Sequence, residues 1–489
     1  MAWSDMRGDL SDRRKQALRK GGPEHIAARS QRGVLTARER VLKVLDPGTF
    51  VELDLFVDGV VAGDGLVDGR EVYVFAQGWT QDPRRDRSAG GADSSASRSK
   101  GATQKMVKVI DLAMMSGAPI VGLYDCGIDD PDSGRGGYTD VSLHNVMASG
   151  LIPQISAVMG PCLGGAAYSA TMSDFVIMVK GSSHLSVTGP EAASASGEET
   201  TLEELGGALA NSSKSGVAHL AADDEPQCLD MIRRLLAYLP QNNLESAPIV
   251  EAGDPVDRND GGIDAVASAT AAGAYDMRAV VEQVVDGGEF LELMPFWAEN
   301  LVIGFGRLAG RSVGIVGNQP LQADGRLDKD ASVKGARFIR FCDAFNIPVV
   351  TFVDTPGYVS GVAQEHGGAA RHGAKLLCAY CEATVPKLTV VTGKAYGAAY
   401  EVMGSKGVRA DFAFAWSNAD LRVDGAAPAE PAPGQSAGGE DLLYRAAESG
   451  LLDDVIQPEE TRPRLIAALR ACISKREGRP PKKHGNIPL

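Results

Sequence analysis

Two glycine-rich turns are the parts of this chain best suited to chemistry. The first reads Met159-Gly160-Pro161-Cys162-Leu163-Gly164-Gly165-Ala166, and the second Thr392-Gly393-Lys394-Ala395-Tyr396-Gly397-Ala398-Ala399. Each follows an apolar strand ending in an aspartate: Asp125 lies 39 residues before Gly164, and Asp354 lies 43 before Gly397. Each is followed by an Asp-Phe pair, Asp174-Phe175 or Asp411-Phe412. A turn that opens a helix leaves the first N–H groups without acceptors, and the helix dipole adds partial positive charge there. Such amides stabilise a developing oxyanion or enolate, and losing one donor costs on the order of 3 kcal/mol. The candidate catalytic groups are therefore Gly164 and Gly165 in the first copy, and Gly397, Ala398 and Ala399 in the second. The seven histidines are spread out, with only His366 and His372 close together. No side-chain triad or metal cluster is recognisable, and no metal is expected.

The elements that must carry these turns follow an α/β pattern. A chain of 489 residues is too long for one core. The duplicated strand–turn–helix phrase predicts two similar domains, over 1–245 and 276–489, joined by a Pro-, Asp-, Gly- and Ala-rich linker at 246–275. Residues 5–45 read as charged helix and 49–77 as a strand meander. Residues 82–104 read as a mobile Ser/Gly/Arg-rich insert. A helix over 105–116 and the strand PIVGLYD follow, and residues 226–238 form an amphipathic helix. The second half repeats the order: strands at 301–318, a helix over 331–345, the strand IPVVTFVD, a helix over 371–384 and the strand KLTVVTG. Residues 425–440 are a second low-complexity insert, and a last helix spans 459–475.

Composition narrows the partners. A net charge of −14 disfavours nucleic acid and anionic membranes. No apolar run approaches the ~20 residues of a membrane span. The N-terminus has no apolar core of the secretory kind. Seven scattered cysteines fit a reducing cytoplasm. Cys378 and Cys381 form a C-x-x-C that falls inside a helix, where packing explains it better than redox or metal chemistry.

At these motifs the chain resembles the carboxyltransferase β-subunit of biotin-dependent acyl-CoA carboxylases, such as propionyl-CoA carboxylase. The likeness spans nearly the whole chain, through LTARERVLKVLDPGTFVELD, ASGLIPQISAVMGPCLGGAAYS, LLAYLPQNNL, IVGNQP, DTPGYVSGVAQEHGGAARHGAKLL and PPKKHGNIPL. It implies two tandem crotonase-like domains and a homohexamer. In such enzymes the N-domain turn holds an acyl-thioester enolate, and the C-domain turn holds the ureido oxygen of carboxybiotin. The substrate-binding candidates implied are Gly127, Tyr168, Tyr358, Gln364, His366, Tyr396 and Glu401. Tyr168 and Tyr400 occupy matching positions just after the two turns, where each is expected to pack its helix onto the sheet. Arg371, His372 and Lys375 open a helix and face solvent or phosphate.

Five departures from the family pattern fall on pockets. The family's Gly-Gly-Ala-Arg-Ile-Gln after the strand aspartate is here Cys126-Gly127-Ile128-Asp129-Asp130-Pro131. The insert 82–104 replaces a thioester-binding Gly loop. Ala398 stands for a glycine, which would strain the turn if that position needs positive φ. Glu401 stands for an aspartate. Arg422, Asp424 and GAAPAEPAPG replace an apolar stretch and a biotin-contacting helix start. The expectation drawn from these changes is a biotin-independent decarboxylase needing no cofactor. It would act on a β-keto acid, such as an aromatic polyketide, or on a β-carboxy thioester, with His366 or Tyr396 as proton donor. One alternative is a working carboxyltransferase subunit served by biotin on a separate subunit and by a biotin carboxylase α-subunit. A non-catalytic structural β-subunit is the other.

Overall fold

The computed structural model describes residues 3–18, 29, 31, 33–78, 92–126, 138–259, 261–272, 275–422 and 439–487. The chain divides into two units, Met1–Glu245 and Ser246–Leu489.

The first unit contains β1 (Val51–Leu53), β2 (Val60–Val67), β3 (Arg70–Gln77), β4 (Ile120–Tyr124), β5 (Gln154–Val158), β6 (Pro161–Leu163), β7 (Phe175–Val179), β8 (His184–Ser186) and β9 (Leu220–Ala222). Its main sheet has the order β1-β2-β3-β4-β5-β7-β9, and β6 pairs with β8 in a separate ribbon. The first three strands are antiparallel and the remainder parallel. Every residue of β4, β5 and β7 is buried. Parallel strands covered on both faces need such continuous apolar runs.

The second unit repeats this plan with β10 (Leu291–Leu293), β11 (Leu301–Leu308), β12 (Arg311–Asn318), β13 (Val349–Thr355), β14 (Lys387–Tyr396), β15 (Phe412–Trp416), β16 (Asp420–Arg422) and β17 (Asp454–Ile456). The order is β10-β11-β12-β13-β14-β15-β17, with β16 paired to the end of β14. Residues 394–396 thus play the part of β6, and β16 that of β8.

A second repeated device holds each sheet's first loop. Lys105 lies on the helix Ala92–Ser116 and donates to the carbonyls of Asp54 (3.2 Å) and Val60 (3.0 Å). Lys334 lies on the helix Lys329–Ala344 and donates to the carbonyls of Met294 (2.8 Å), Trp297 (2.8 Å) and Ala298 (3.2 Å). Asp54 and Met294 each follow the first strand of their sheet and each has positive φ. A buried ammonium must find acceptors, and backbone carbonyls of a strained loop supply them.

Four readings need correction. The charged helix expected over 5–45 is not continuous: among the described residues helices span Trp3–Leu18 and Ala37–Val44, and 34–36 are not helical. Thr36 and Glu39 form a capping box that starts the second. The helix expected from 105 starts at Ala92, so 92–104 is helical, while residues 82–91 of that insert lie outside the described residues. Ala102, partly buried against the first core, draws this low-complexity stretch into the helix. The segment 246–275 contains the helix Gly262–Ala272, and Ile263, Ala267 and Tyr275 join the second core. Within 425–440, residues 425–438 lie outside the described residues, and a helix, Gly439–Glu448, begins at the end.

Candidate active site

In the first unit the chain leaves β5, passes Gly160, forms β6 and turns into the helix Gly165–Thr171. The turn bends at Gly164, whose φ of 62° suits glycine. The Gly164 N–H donates to the Ser186 carbonyl at the end of β8 (3.2 Å). The amides that open the helix without an intrahelical acceptor are those of Gly165 and Ala166. Ala166 was not among the sequence candidates. Its counterpart Ala399 was, and that match is the signal that could have found it.

Beneath the turn sits Asp125. It receives Arg40 Nη1 and Arg29 Nη2, each at 2.8 Å, and Arg40 also pairs with Glu225. Arg40 is fully buried. A Cβ on Gly160 would lie 2.2 Å from Asp125 Oδ1, so only glycine lets the carboxylate approach this backbone.

The second unit builds the same arrangement. The left-handed φ falls on Gly397 (51°). Ala398 has no positive φ, so the strain expected there does not arise. The free pair of helix-opening amides corresponds to Ala398 and Ala399. Asp354 Oδ1 accepts the Lys394 N–H (2.8 Å), and a Cβ on Gly393 would lie 2.4 Å from Oδ2. Burial raises the Asp354 pKa, and the bonds from the Lys394 amide and Tyr275 only partly offset it.

At the mouth of this second turn, Tyr396 donates its hydroxyl to Asp420 (2.5 Å). Arg422 grips the same carboxylate through Nε (2.9 Å) and Nη2 (2.7 Å), with its guanidinium 5.2 Å from the Tyr396 ring centroid. Burial and the Asp420 hydrogen bond push the Tyr396 pKa up. Burial works against the Asp420 carboxylate, but the bonds from Arg422 and Tyr396 outweigh it and lower its pKa. The three side chains lock one another, and the Tyr396 proton is committed to Asp420.

The remaining candidates scatter. Gly127 lies outside the described residues, as do Asp129, Asp130 and Asp132. Tyr358 packs its hydroxyl where a Cβ on Gly373 would sit (2.9 Å), and burial raises its pKa. Gln364 Oε1 accepts the Lys329 N–H (3.4 Å). His366 is exposed at the end of the short helix Val362–His366, and Glu401 is exposed. Tyr168 and Tyr400 are not equivalent: Tyr168 is 52 % exposed and Tyr400 only 2 %. Counting from the left-handed glycines, Tyr168 matches Glu401 and Ala167 matches Tyr400. Cys378 and Cys381 both lie on the helix Ala369–Glu382. Among the described residues no His, Cys, Asp and Glu are grouped to hold a metal ion, and no helix is long and apolar enough to cross a membrane.

Comparison with known proteins accounts for the repeated geometry. The carboxyl transferase domain model matches residues 28–430. The chain is 46% identical to the carboxyltransferase subunit of propionyl-CoA carboxylase from Haloferax mediterranei, covering 100% of both chains. It is also 46% identical to the methylmalonyl-CoA decarboxylase subunit alpha of Veillonella parvula, covering 96% of each. Among solved structures, transcarboxylase 12S with methylmalonyl-CoA and methylmalonic acid bound superposes with a TM-score of 0.91, at 38% identity over 100% of both chains. That structure is described as a hexamer assembly. The two units are tandem crotonase-like domains of the carboxyltransferase fold, and the chain belongs to the carboxyl transferase domain family.

Proposed function

We propose that this chain is the carboxyltransferase subunit of a biotin-dependent acyl-CoA carboxylase acting on a short acyl-CoA such as propionyl-CoA. The observation that carries the reading is the end-to-end likeness to a propionyl-CoA carboxylase subunit. Both turns support it. Gly165 and Ala166 would hold the thioester oxygen as negative charge develops on it. Asp125, pinned by Arg40 and Arg29, fixes the strand end below them. The residues of the second turn fit biotin: Ala398 is unstrained and exposed, so its amide and that of Ala399 can meet the ureido oxygen. Biotin, carried by a separate subunit, supplies the carboxyl group when bound. Tyr396, Asp420 and Arg422 keep the wall of that turn rigid. The assembly would be a cytoplasmic homohexamer working with a biotin carboxylase.

One finding favours a second reading. The similarity to a methylmalonyl-CoA decarboxylase subunit equals that to the carboxylase subunit in percentage. The same enolate-stabilising turn serves carboxyl loss as well as gain. A free β-keto acid has less behind it. That expectation leaned on the five departures; Ala398 carries no strain, and much of the others lies outside the described residues.

Reconstitution separates the readings. The purified chain is mixed with a biotin carboxylase, a biotinylated carrier, ATP, bicarbonate and propionyl-CoA, and methylmalonyl-CoA is followed by mass. Product that needs both carrier and ATP supports the carboxylase. Absence of product, with CO2 released from methylmalonyl-CoA by the chain alone, supports the decarboxylase.

A further inference from the structure

We propose that Cys126 and Cys162 form a reversible dithiol–disulfide pair that regulates the first turn. The pairing follows from the repeated ladder. In the second unit Val353 faces Val391; after a register shift, Thr355 faces Ala395. In the first unit Tyr124 faces Val158, and the Cys126 N–H then donates to the Pro161 carbonyl at 2.8 Å. In a parallel ladder, a residue bonded to the carbonyl preceding a partner lies opposite that partner. Cys126 therefore stands opposite Cys162, as Thr355 stands opposite Ala395. Neighbouring strands run ~4.8 Å apart, inside the ~4.4–6.8 Å Cα separation that a disulfide accepts.

The side chains agree. Both cysteines are thiols, and the Cys162 thiol lies within hydrogen-bonding reach of Cys126. Cys126 is half-buried, and its sulfur also reaches Gln77 Oε1 (3.3 Å) and the Tyr138 hydroxyl (3.6 Å). Cys162 is fully buried, and burial together with Cys126 raises its pKa. An oxidant from solvent meets Cys126 first.

Hydrogen peroxide is the oxidant. The Cys126 thiol attacks it, giving Cys126 sulfenic acid and one water. The Cys162 sulfur then attacks the sulfenyl sulfur. The S–S bond forms and the S–O bond breaks, and hydroxide leaves with the thiol proton as a second water. Two electrons pass from the thiols to peroxide, and a dithiol returns them by exchange. The new bond takes the Cys126 S–H away from Gln77. It also draws in Cys162, two residues before Gly164, and so shifts the amides of Gly165 and Ala166. The effect on turnover rests on the function proposed above; the formation of the disulfide does not.

The test uses the full chain, reduced, then treated with peroxide, alkylated and digested without reductant. The expected product is a Cys126–Cys162 linked peptide that disappears with dithiothreitol. Carboxyl exchange between methylmalonyl-CoA and biotin should fall on the order of tenfold or more, and return with dithiothreitol. The Cys126→Gly variant should show neither the linked peptide nor the loss. Three results would overturn the pair: no linked peptide, only over-oxidised Cys126, or equal inhibition of Cys126→Gly. A chain that forms the linked peptide but is inactive when reduced upholds the pair and counts against the functional reading instead.

Discussion

At the residue scale the account rests on backbone amides. Gly164 bends the turn and spends its N–H on Ser186, and in the proposed role Gly165 and Ala166 are left to meet an oxyanion. Gly165→Pro removes one donor at the first helical position, where proline is well tolerated. Turnover should fall about 10²–10³-fold while the melting temperature barely moves; unchanged steady-state kinetics would remove Gly165 from the site. Asp354 gives a pH prediction. Burial raises its pKa, so the folded chain holds this proton more tightly than the unfolded chain. The associated stability is full below the unfolded value of ~3.9 and is lost as pH rises through the folded one. Asp354→Asn does not ionise, and its carbonyl can still accept the Lys394 amide. Measured by thermal unfolding, the variant should gain on the native chain as pH rises from about 4 towards neutral; the opposite trend would contradict the assignment. The two turns were legible in the sequence because glycine and its repeat mark them. The work of Gly164 was not, because its acceptor sits on β8, across a ribbon that no local pattern announces. Tyr168 and Tyr400 misled for a related reason: tyrosines one helical position apart look equivalent in sequence and face opposite ways.

At the element scale the duplicated plan lies in register as much as in sequence. In both units a strand-end aspartate sits against a glycine four residues before the left-handed one, Gly160 before Gly164 and Gly393 before Gly397. Gly160→Ala and Gly393→Ala should each cost about 1–3 kcal/mol of stability, because the new methyl would lie 2.2 or 2.4 Å from a held carboxylate oxygen. Urea unfolding measures this, and a neutral effect at either site would argue against the lock. The strands and most helices could be read from apolar runs and alternation. The start of the helix at Ala92 could not, since Ser, Gly and Arg give no periodicity and contacts such as that of Ala102 decide it. The same holds for Gly262–Ala272, whose composition reads as linker until Ile263 and Ala267 are seen to join the second core. The lysine supports at Lys105 and Lys334 were missed because a buried lysine looks like an ordinary surface residue in sequence.

At the scale of the whole molecule, the departures in the loops suggest that biotin has been abandoned, while the proposed carboxyltransferase role, carried by the end-to-end likeness to a propionyl-CoA carboxylase subunit, retains it. Ala398 does not break the second turn: the left-handed φ falls on Gly397, which is still glycine. The most direct test needs only the purified chain, methylmalonyl-CoA and free biotin. Propionyl-CoA should form when biotin is present and carboxylated biotin should accumulate with it, whereas without biotin methylmalonyl-CoA should persist. Release of CO2 and propionyl-CoA at the same rate with and without biotin would contradict the carboxyltransferase account.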